Sequence, residues 1–268
     1  MQYRSGAGGD TANSGLLTHS GGRCFVKMHS NAALLEAEEA GLRALEPWLR
    51  VPRVEGRYAD GAGGVLFLEA LALEPLGQAG WRTAGQALAR LHSGAKNTVY
   101  GGVADNFIGG MAQYNSDETE WPRFFARQRL QPQLQWARQK GLPASACRVV
   151  HRVIDHLSNW LPRRPASALL HGDLWMGNLG QIDGAEPVFF DPACYYGDPQ
   201  VDLAMLNLFG RPPEVFYHGY QGHLPTPEQR ARWPVYDLYH WLNHFNLFDH
   251  PYTSAVTNTA RLLCRELE

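Results

Sequence analysis

The segment 169–205, LLHGDLWMGNLGQIDGAEPVFFDPACYYGDPQVDLAM, constrains the chain more than any other. Asn178 stands directly before Leu179–Ile182, and Asp191 directly after the apolar run Val188–Phe190. Between the runs lies Asp183-Gly184, a pair suited to the positive φ angles of a tight turn. A β-hairpin is expected here, and a hairpin brings its two ends together. One side-chain amide and one carboxylate, distant in sequence, thereby become neighbours. Ahead of them the short apolar run Ala168–Leu170 delivers His171-Gly172-Asp173, so that Asp173 lies five residues before Asn178. Taken singly, an Asp or Asn beside a Gly is commonly only a turn residue. The order of the three, with a hairpin between the last two, carries the chemical meaning.

That meaning is phosphoryl transfer. The reaction asks for positioning and for neutralisation of phosphate charge more than for covalent chemistry. Mg2+ takes oxygen ligands, one or two of them protein carboxylates and others from phosphate. Asp191 and Asn178 suit this ion, while Asp173 stays off the metal and faces an acceptor hydroxyl. The layout resembles the catalytic loop and metal-binding Asp of protein-kinase-type enzymes, which implies ATP and Mg2+ as the ligands. His171 is read as packing and hydrogen-bonding the loop backbone.

With 268 residues, 44% hydrophobic and 19% charged, the chain is long enough for one large domain or two lobes. A formal charge of -2 and a pI near 6.6 argue against nucleic acid or a membrane surface as partner. No run approaches the roughly 18 apolar residues of a membrane span, and no signal peptide opens the chain. The cysteines Cys24, Cys147, Cys194 and Cys264 are scattered without a CxxC pattern, which points to a reducing cytoplasm.

Basic residues are mostly arginine, and Lys27, Lys96 and Lys140 are the only lysines. Lys27 ends the run Cys24-Phe25-Val26. Before it come a Gly-rich stretch (residues 5–10, with Gly8 and Gly9) and a strand pair, Leu16-Leu17-Thr18 and Arg23–Met28, around Ser20-Gly21-Gly22. A phosphate-covering glycine loop followed by a strand lysine fits the same chemistry. Residues 31–49 carry leucines at helical spacing with Glu36, Glu38 and Glu39, one of which should orient Lys27. Val65–Leu68 reads as a buried strand, and Glu69-Ala70-Leu71 as a hinge whose backbone meets adenine. Helices are expected over 81–93, 121–141 (with a kink at Pro132), 146–161, 202–209, 236–248 and 255–267, and a loop over 101–115. The fold class is α+β: a small antiparallel β N-lobe (1–70) and a mainly α-helical C-lobe (71–268), in a two-lobed, protein-kinase-like arrangement.

With those residues in view, the chain resembles the fructosamine (ketosamine) 3-kinase family, relatives of the aminoglycoside phosphotransferases. The matching words are LLHGDLWMGN (169–178), FFDPACYYGDPQVDLAM (189–205), CFVK (24–27), EEAGLRAL (38–45) and ALARLH (87–92). DNFIGG (105–110), WPRFFARQRLQPQL (121–134) and YHWLNHFN (239–246) continue the match, so it spans nearly the whole chain in order. HGDLWMGN is more specific than HGD and N alone, since Trp175 points to ketosamine kinases. The resemblance implies Asp173 as base and Asn178 and Asp191 as Mg2+ ligands. It implies that Lys27 contacts the ATP phosphates, with Glu38, four residues before Leu42, as its helix partner. Backbone groups of Glu69 and Leu71 would hold adenine. Asp202 would fix the catalytic-loop backbone, and Asp198 would brace the loop. Family members usually carry more residues ahead of the glycine loop than the Met1–Ser5 found here, so the first strand is expected to be short or missing. The glycine loop holds no Cys, so no loop-to-loop disulfide is expected.

The expected substrate is a small-molecule or protein-bound ketosamine, phosphorylated on its 3-hydroxyl, with a role in protein deglycation. Trp175, Asn243 and His244 are the candidates for contacting it. The chain would be a monomer or homodimer. A kinase for another small hydroxyl compound, such as an aminoglycoside or a choline-like metabolite, is the alternative of the same class. Polycationic aminoglycosides call for an acidic acceptor pocket, whereas the C-terminal third offers aromatic and His residues. Alternatives of other classes are a metallophosphoesterase, which would need further His and Asp ligands on separate loops, and a nucleotide-binding module without catalysis.

Overall fold

The computed structural model describes residues 2–5 and 13–267. Gly8 and Gly9, assigned above to covering phosphate, lie outside the described residues. In chain order the elements are β1 (Gln2–Ser5), β2 (Asn13–His19), β3 (Gly22–His29), α1 (Ala32–Leu45), β4 (Val54–Asp60), β5 (Gly63–Glu69) and α2 (Gln78–Gly94). Then come β6 (Asn106–Ile108), β7 (Met111–Gln113), α3 (Trp121–Phe124), α4 (Gln131–Gln139), α5 (Ala144–Asp155) and β8 (Ala168–Leu170). The rest are β9 (Leu179–Ile182), β10 (Glu186–Phe189), β11 (Tyr195–Gly197), α6 (Gln200–Leu208), α7 (Glu214–Gln221), α8 (Pro227–Phe248) and α9 (Thr253–Arg265).

The chain forms two compact units. The first comprises Met1–Leu91, Met176–Cys194 and Pro212–Leu224; the second comprises His92–Trp175, Tyr195–Arg211 and Pro225–Glu268. A single cut between residues 70 and 71 was expected, whereas these units interleave along the sequence. The reason within the first unit is Gln181 of β9. This buried residue accepts the Gly77 N–H at 2.8 Å and donates to the Gly184 carbonyl at 3.2 Å, while its backbone bridges Glu74. The β9–β10 hairpin is thus tied to the segment leading into α2.

The first unit is built on a five-stranded antiparallel sheet in the order β1-β2-β3-β5-β4. β1 is present and short, at four residues. Lys27 lies directly opposite Leu66 across β3 and β5, so both point to one face. Gly64 of β5 shares that face, and a Cβ there would meet Ala32 and Leu35 of α1 at 3.1–3.3 Å, so α1 covers it. Asn31 caps α1 by accepting the Ala33 N–H at 3.1 Å. The expected hairpin forms as β9 and β10, with Asp183 at φ 48° and Gly184 at φ 80° in its turn. At its base the Phe190 N–H donates to the Asn178 carbonyl at 3.2 Å.

The second unit is mainly helical. Its core holds Trp121, Phe124, Phe125, Tyr195, Tyr236 and Tyr239 around Arg129, which is fully buried. The Arg129 guanidinium lies 3.9 Å from the centre of the Tyr195 ring and donates to Asn115 at 2.8 Å. The single helix expected over 121–141 is interrupted by a π-helical stretch, Phe125–Leu130, just ahead of Pro132. Proline has no N–H for the Gln128 carbonyl, and that carbonyl accepts from Arg129 Nη1 instead. The loop expected over 101–115 contains the small hairpin β6–β7. Helix α8 starts nine residues earlier than expected, at Pro227 rather than 236, because Thr226 and Gln229 form a reciprocal capping box.

Gln181→Ala should remove the hydrogen bonds to Gly77 and Gly184 and lower stability by about 1–2 kcal/mol. Urea unfolding followed by circular dichroism measures this, and an unchanged midpoint would count against Gln181 as the tie between hairpin and α2 segment.

Candidate active site

Lys27 of β3, Glu38 of α1 and Asp191 after β10 meet in the first unit. Lys27 Nζ donates to Glu38 Oε1 at 2.7 Å and to Asp191 Oδ1 at 2.5 Å. One ammonium is therefore shared by two carboxylates. The Lys27 and Glu38 side chains are largely buried, while that of Asp191 is 34% exposed. Burial works against the charged Lys27, but Asp191 and Glu38 outweigh it and hold its pKa above the ordinary lysine value. Burial, reinforced by the neighbouring Asp191 charge and opposed by Lys27, pushes Glu38 up to about 7. Of the other acidic residues on α1, Glu39 pairs with Arg43 and Arg57, and Glu36 with Arg57.

Asn178 is buried at the foot of the hairpin, and its Nδ2 lies 3.5 Å from the Asp191 carbonyl. The hairpin thus brings Asn178 and Asp191 together, offering oxygen donors and neither imidazole nor thiolate. That donor set suits a hard cation whose remaining ligands come from phosphate. Among the described residues no group of three or more His, Cys, Asp and Glu could hold a metal by itself. Asp191 adopts φ 58°, a left-handed conformation that few non-glycine residues take.

Glu69 spends its carboxylate on Arg50 at 2.9 Å and Arg53 at 3.3 Å, and its backbone N–H donates to the Arg53 carbonyl. Ala70 and Leu71 follow, both half-buried.

The loop carrying Asp173 belongs to the second unit and starts from β8, which pairs with β11. Asp202 of α6, fully buried, accepts the His171 N–H at 2.8 Å and the Gly172 N–H at 2.9 Å, and bonds His92 Nε2 at 3.1 Å. Burial would raise the Asp202 carboxyl, but His92, His171 and the backbone donor bring it below the ordinary Asp value. The His171 ring accepts the Asp173 N–H at 3.3 Å, so this side chain serves the loop backbone. Gly172 sits at φ 82°, which lets the chain turn sharply before Asp173. Asp198 was expected to brace the loop. It instead accepts the Gln200 N–H at 3.0 Å at the start of α6 and binds Tyr236 at 2.8 Å and Arg232 at 3.1 Å, so it ties α6 to α8.

Trp175 is 38% exposed and meets Phe209 edge-on at 6.1 Å. Phe209 continues to Trp241 at 5.4 Å and His244 at 5.0 Å, making a half-exposed aromatic surface in the second unit. Asn243 lies elsewhere: it is buried and accepts from Gln133 at 3.1 Å. Phe209 escaped the sequence reading. Its signal was a large aromatic at the end of a helix, followed at once by Gly210.

A fructosamine kinase family model matches residues 1–266. A protein named probable ketoamine kinase from Synechocystis sp. is 39% identical over 256 residues, covering 92% of this chain and 85% of that protein. A crystal structure assigned as a fructosamine-3-kinase from Thermobifida fusca superposes with TM-score 0.88 at 30% identity, covering 99% of this chain and 94% of that one. An aminoglycoside phosphotransferase, solved in ternary complex with AMP-PNP and hygromycin B, matches with TM-score 0.71 at 14% identity over 98% of this chain and 93% of that one. At that identity the likeness shows the fold alone, an α+β fold of the protein-kinase-like phosphotransferases.

A carbon-detected carboxyl titration should find Glu38 ionising near 7, and Asp191→Asn should lower that value by removing a negative neighbour. Between 4.5 and about 7 the folded state keeps a proton that the unfolded state has lost, so the contribution of Glu38 declines as pH rises through that window. A Glu38 midpoint that Asp191→Asn leaves unmoved would refute the shared-ammonium account.

Proposed function

Since the chain belongs to the fructosamine kinase family, we propose that it transfers the γ-phosphoryl group of ATP to the 3-hydroxyl of a ketosamine. The acceptor is a fructosamine or ribulosamine carried on a small amine or a protein lysine. The observation that carries this reading is the cluster of Lys27, Glu38 and Asp191, with Asn178 at the foot of the same hairpin.

Each residue has a role in this account. Lys27, oriented by Glu38, binds the ATP phosphates. Backbone groups of Glu69, Ala70 and Leu71 receive adenine, and Gly8 and Gly9 cover the phosphates. Asn178 and Asp191 hold Mg2+, which when bound offsets the charge of the phosphate oxygens. Asp173 accepts the proton of the 3-hydroxyl as that oxygen attacks phosphorus in line. Asp202 and His171 hold the loop so that Asp173 does not have to be reorganised during the reaction. Trp175 and His244 offer the sugar and its amine an aromatic surface, while Asn243 joins α8 to α4 through Gln133.

The deglycation role follows from the product. Enolisation of the ketosamine toward C1 lets the C3 phosphate leave by β-elimination, and water then hydrolyses the resulting imine to release the amine and a dicarbonyl sugar fragment. Cys24, Cys194 and Cys264 are buried and the four cysteines form no CxxC pattern, which supports a reducing, cytoplasmic setting. Among the described residues no helix is long and apolar enough to cross a membrane.

ADP release from Mg·ATP is measured with ribulosamine-lysine and fructosamine-lysine, beside kanamycin and choline. Turnover is expected on a ketosamine. Asp173→Asn should lower the rate by about 10²–10⁴-fold, as loss of a general base does, and Asp191→Ala should abolish use of Mg·ATP. Wild-type turnover in either variant would overturn the mechanism, and ATP binding without turnover on any acceptor would favour a binding module.

A further inference from the structure

Gly41 lies within α1, three residues after Glu38 and on the same helical face. Glycine is a poor helix former compared with alanine, so helix formation does not account for it. A Cβ built on Gly41 would stand 2.9 Å from Pro192 Cγ and 3.5 Å from both Pro192 Cβ and Cys194 Sγ. The proline ring is fixed to its own backbone and cannot swing aside as the end of a long side chain can. The Gly41 carbonyl also accepts from the buried Cys194 thiol at 3.7 Å. Pro192 directly follows Asp191. One face of α1 therefore reaches Lys27 through Glu38 and rests, through bare backbone, on the segment that carries Asp191.

We propose that Gly41 is a positioning residue: its missing side chain lets α1 seat against Pro192, and this seating sets the distances among Lys27, Glu38 and Asp191. The catalytic consequence rests on the kinase reading above, but the geometry does not. A methyl group at residue 41 forces α1 and the Asp191 segment apart by tenths of an ångström. Ion pairs of 2.7 and 2.5 Å cannot both survive that displacement unchanged.

Gly41→Ala should weaken Mg·ATP binding in calorimetry, raise KM for ATP and lower kcat, by about ten- to a hundredfold in kcat/KM for ATP, as sub-ångström misplacement does. KM for the ketosamine and the far-UV spectrum should stay as in the wild type. Pro192→Ala, added to Gly41→Ala, removes the obstructing ring carbon and should recover most of the loss. Wild-type ATP binding and kinetics in Gly41→Ala would overturn the proposal, as would a loss that Pro192→Ala does not relieve. If Gly41→Ala does not fold, a folded double variant supports the contact, and failure of both overturns it. If the wild type phosphorylates no ketosamine, the kinase reading fails, while Mg·ATP binding still decides the role of Gly41.

Discussion

One ammonium held between two carboxylates organises the first unit. Lys27 comes from the middle of the sheet, Glu38 from the helix that covers it, and Asp191 from the end of a hairpin more than 150 residues away (164 between Lys27 and Asp191). Removing Lys27 from this largely buried cluster leaves two carboxylates uncompensated, which is costlier than losing an exposed pair. The sheet register, the seating of α1 and the closure of the hairpin are all needed to bring the three together. With two acids and one base the cluster carries an excess of negative charge, and this excess is what raises Glu38. A cation that arrives with phosphate suits such a cluster better than phosphate alone.

The second unit solves a different problem, that of holding a sharp loop still. Two consecutive backbone N–H groups, those of His171 and Gly172, point at one buried carboxylate, Asp202, which also bonds His92. Hydrogen bonds to a charged acceptor are stronger than neutral ones, and here they are out of water. The next N–H, that of Asp173, is taken by the His171 ring. The loop backbone is thus fixed by Asp202 and His171, while the Asp173 side chain stays half-buried. Asp198 does comparable work one step away, joining α6 to α8 through Tyr236 and Arg232.

Much of this was legible in the sequence because the signals were local. Asp183-Gly184 announced the hairpin, and with it the meeting of Asn178 and Asp191. The scarcity of lysine singled out Lys27, although composition alone could not choose among Glu36, Glu38 and Glu39. The start of α8 was also readable, in Thr226 and Gln229, but the apolar pattern strengthens only later in that helix and set the boundary too late. Other features depend on contacts between distant segments. The π-helical stretch before Pro132, the burial of Arg129 among aromatic rings and the attachment of the hairpin through Gln181 have no sequence period. Gly41 is the sharpest case: within α1 it reads as a flaw in a helix, and only the approach of Pro192 explains it.

Backbone strain gives the same region a second signature. Asp183, Asp191 and Asp249 are the non-glycine residues at positive φ among the described residues. At Asp183 this is the ordinary demand of a hairpin turn. At Asp191 it is less expected, because the next residue is Pro192 and proline restricts the backbone of the residue before it. A left-handed non-glycine residue costs on the order of 1–3 kcal/mol and persists only where its surroundings over-determine it. Here they do: Lys27 holds the carboxylate, Asn178 reaches the carbonyl, and α1 packs on the following proline at Gly41. The strained residue is also the carboxylate at the hairpin's end, so three separate contacts converge on aiming one side chain. An extended conformation at residue 191 would relieve the strain, and it would turn that side chain away from Lys27 and Asn178.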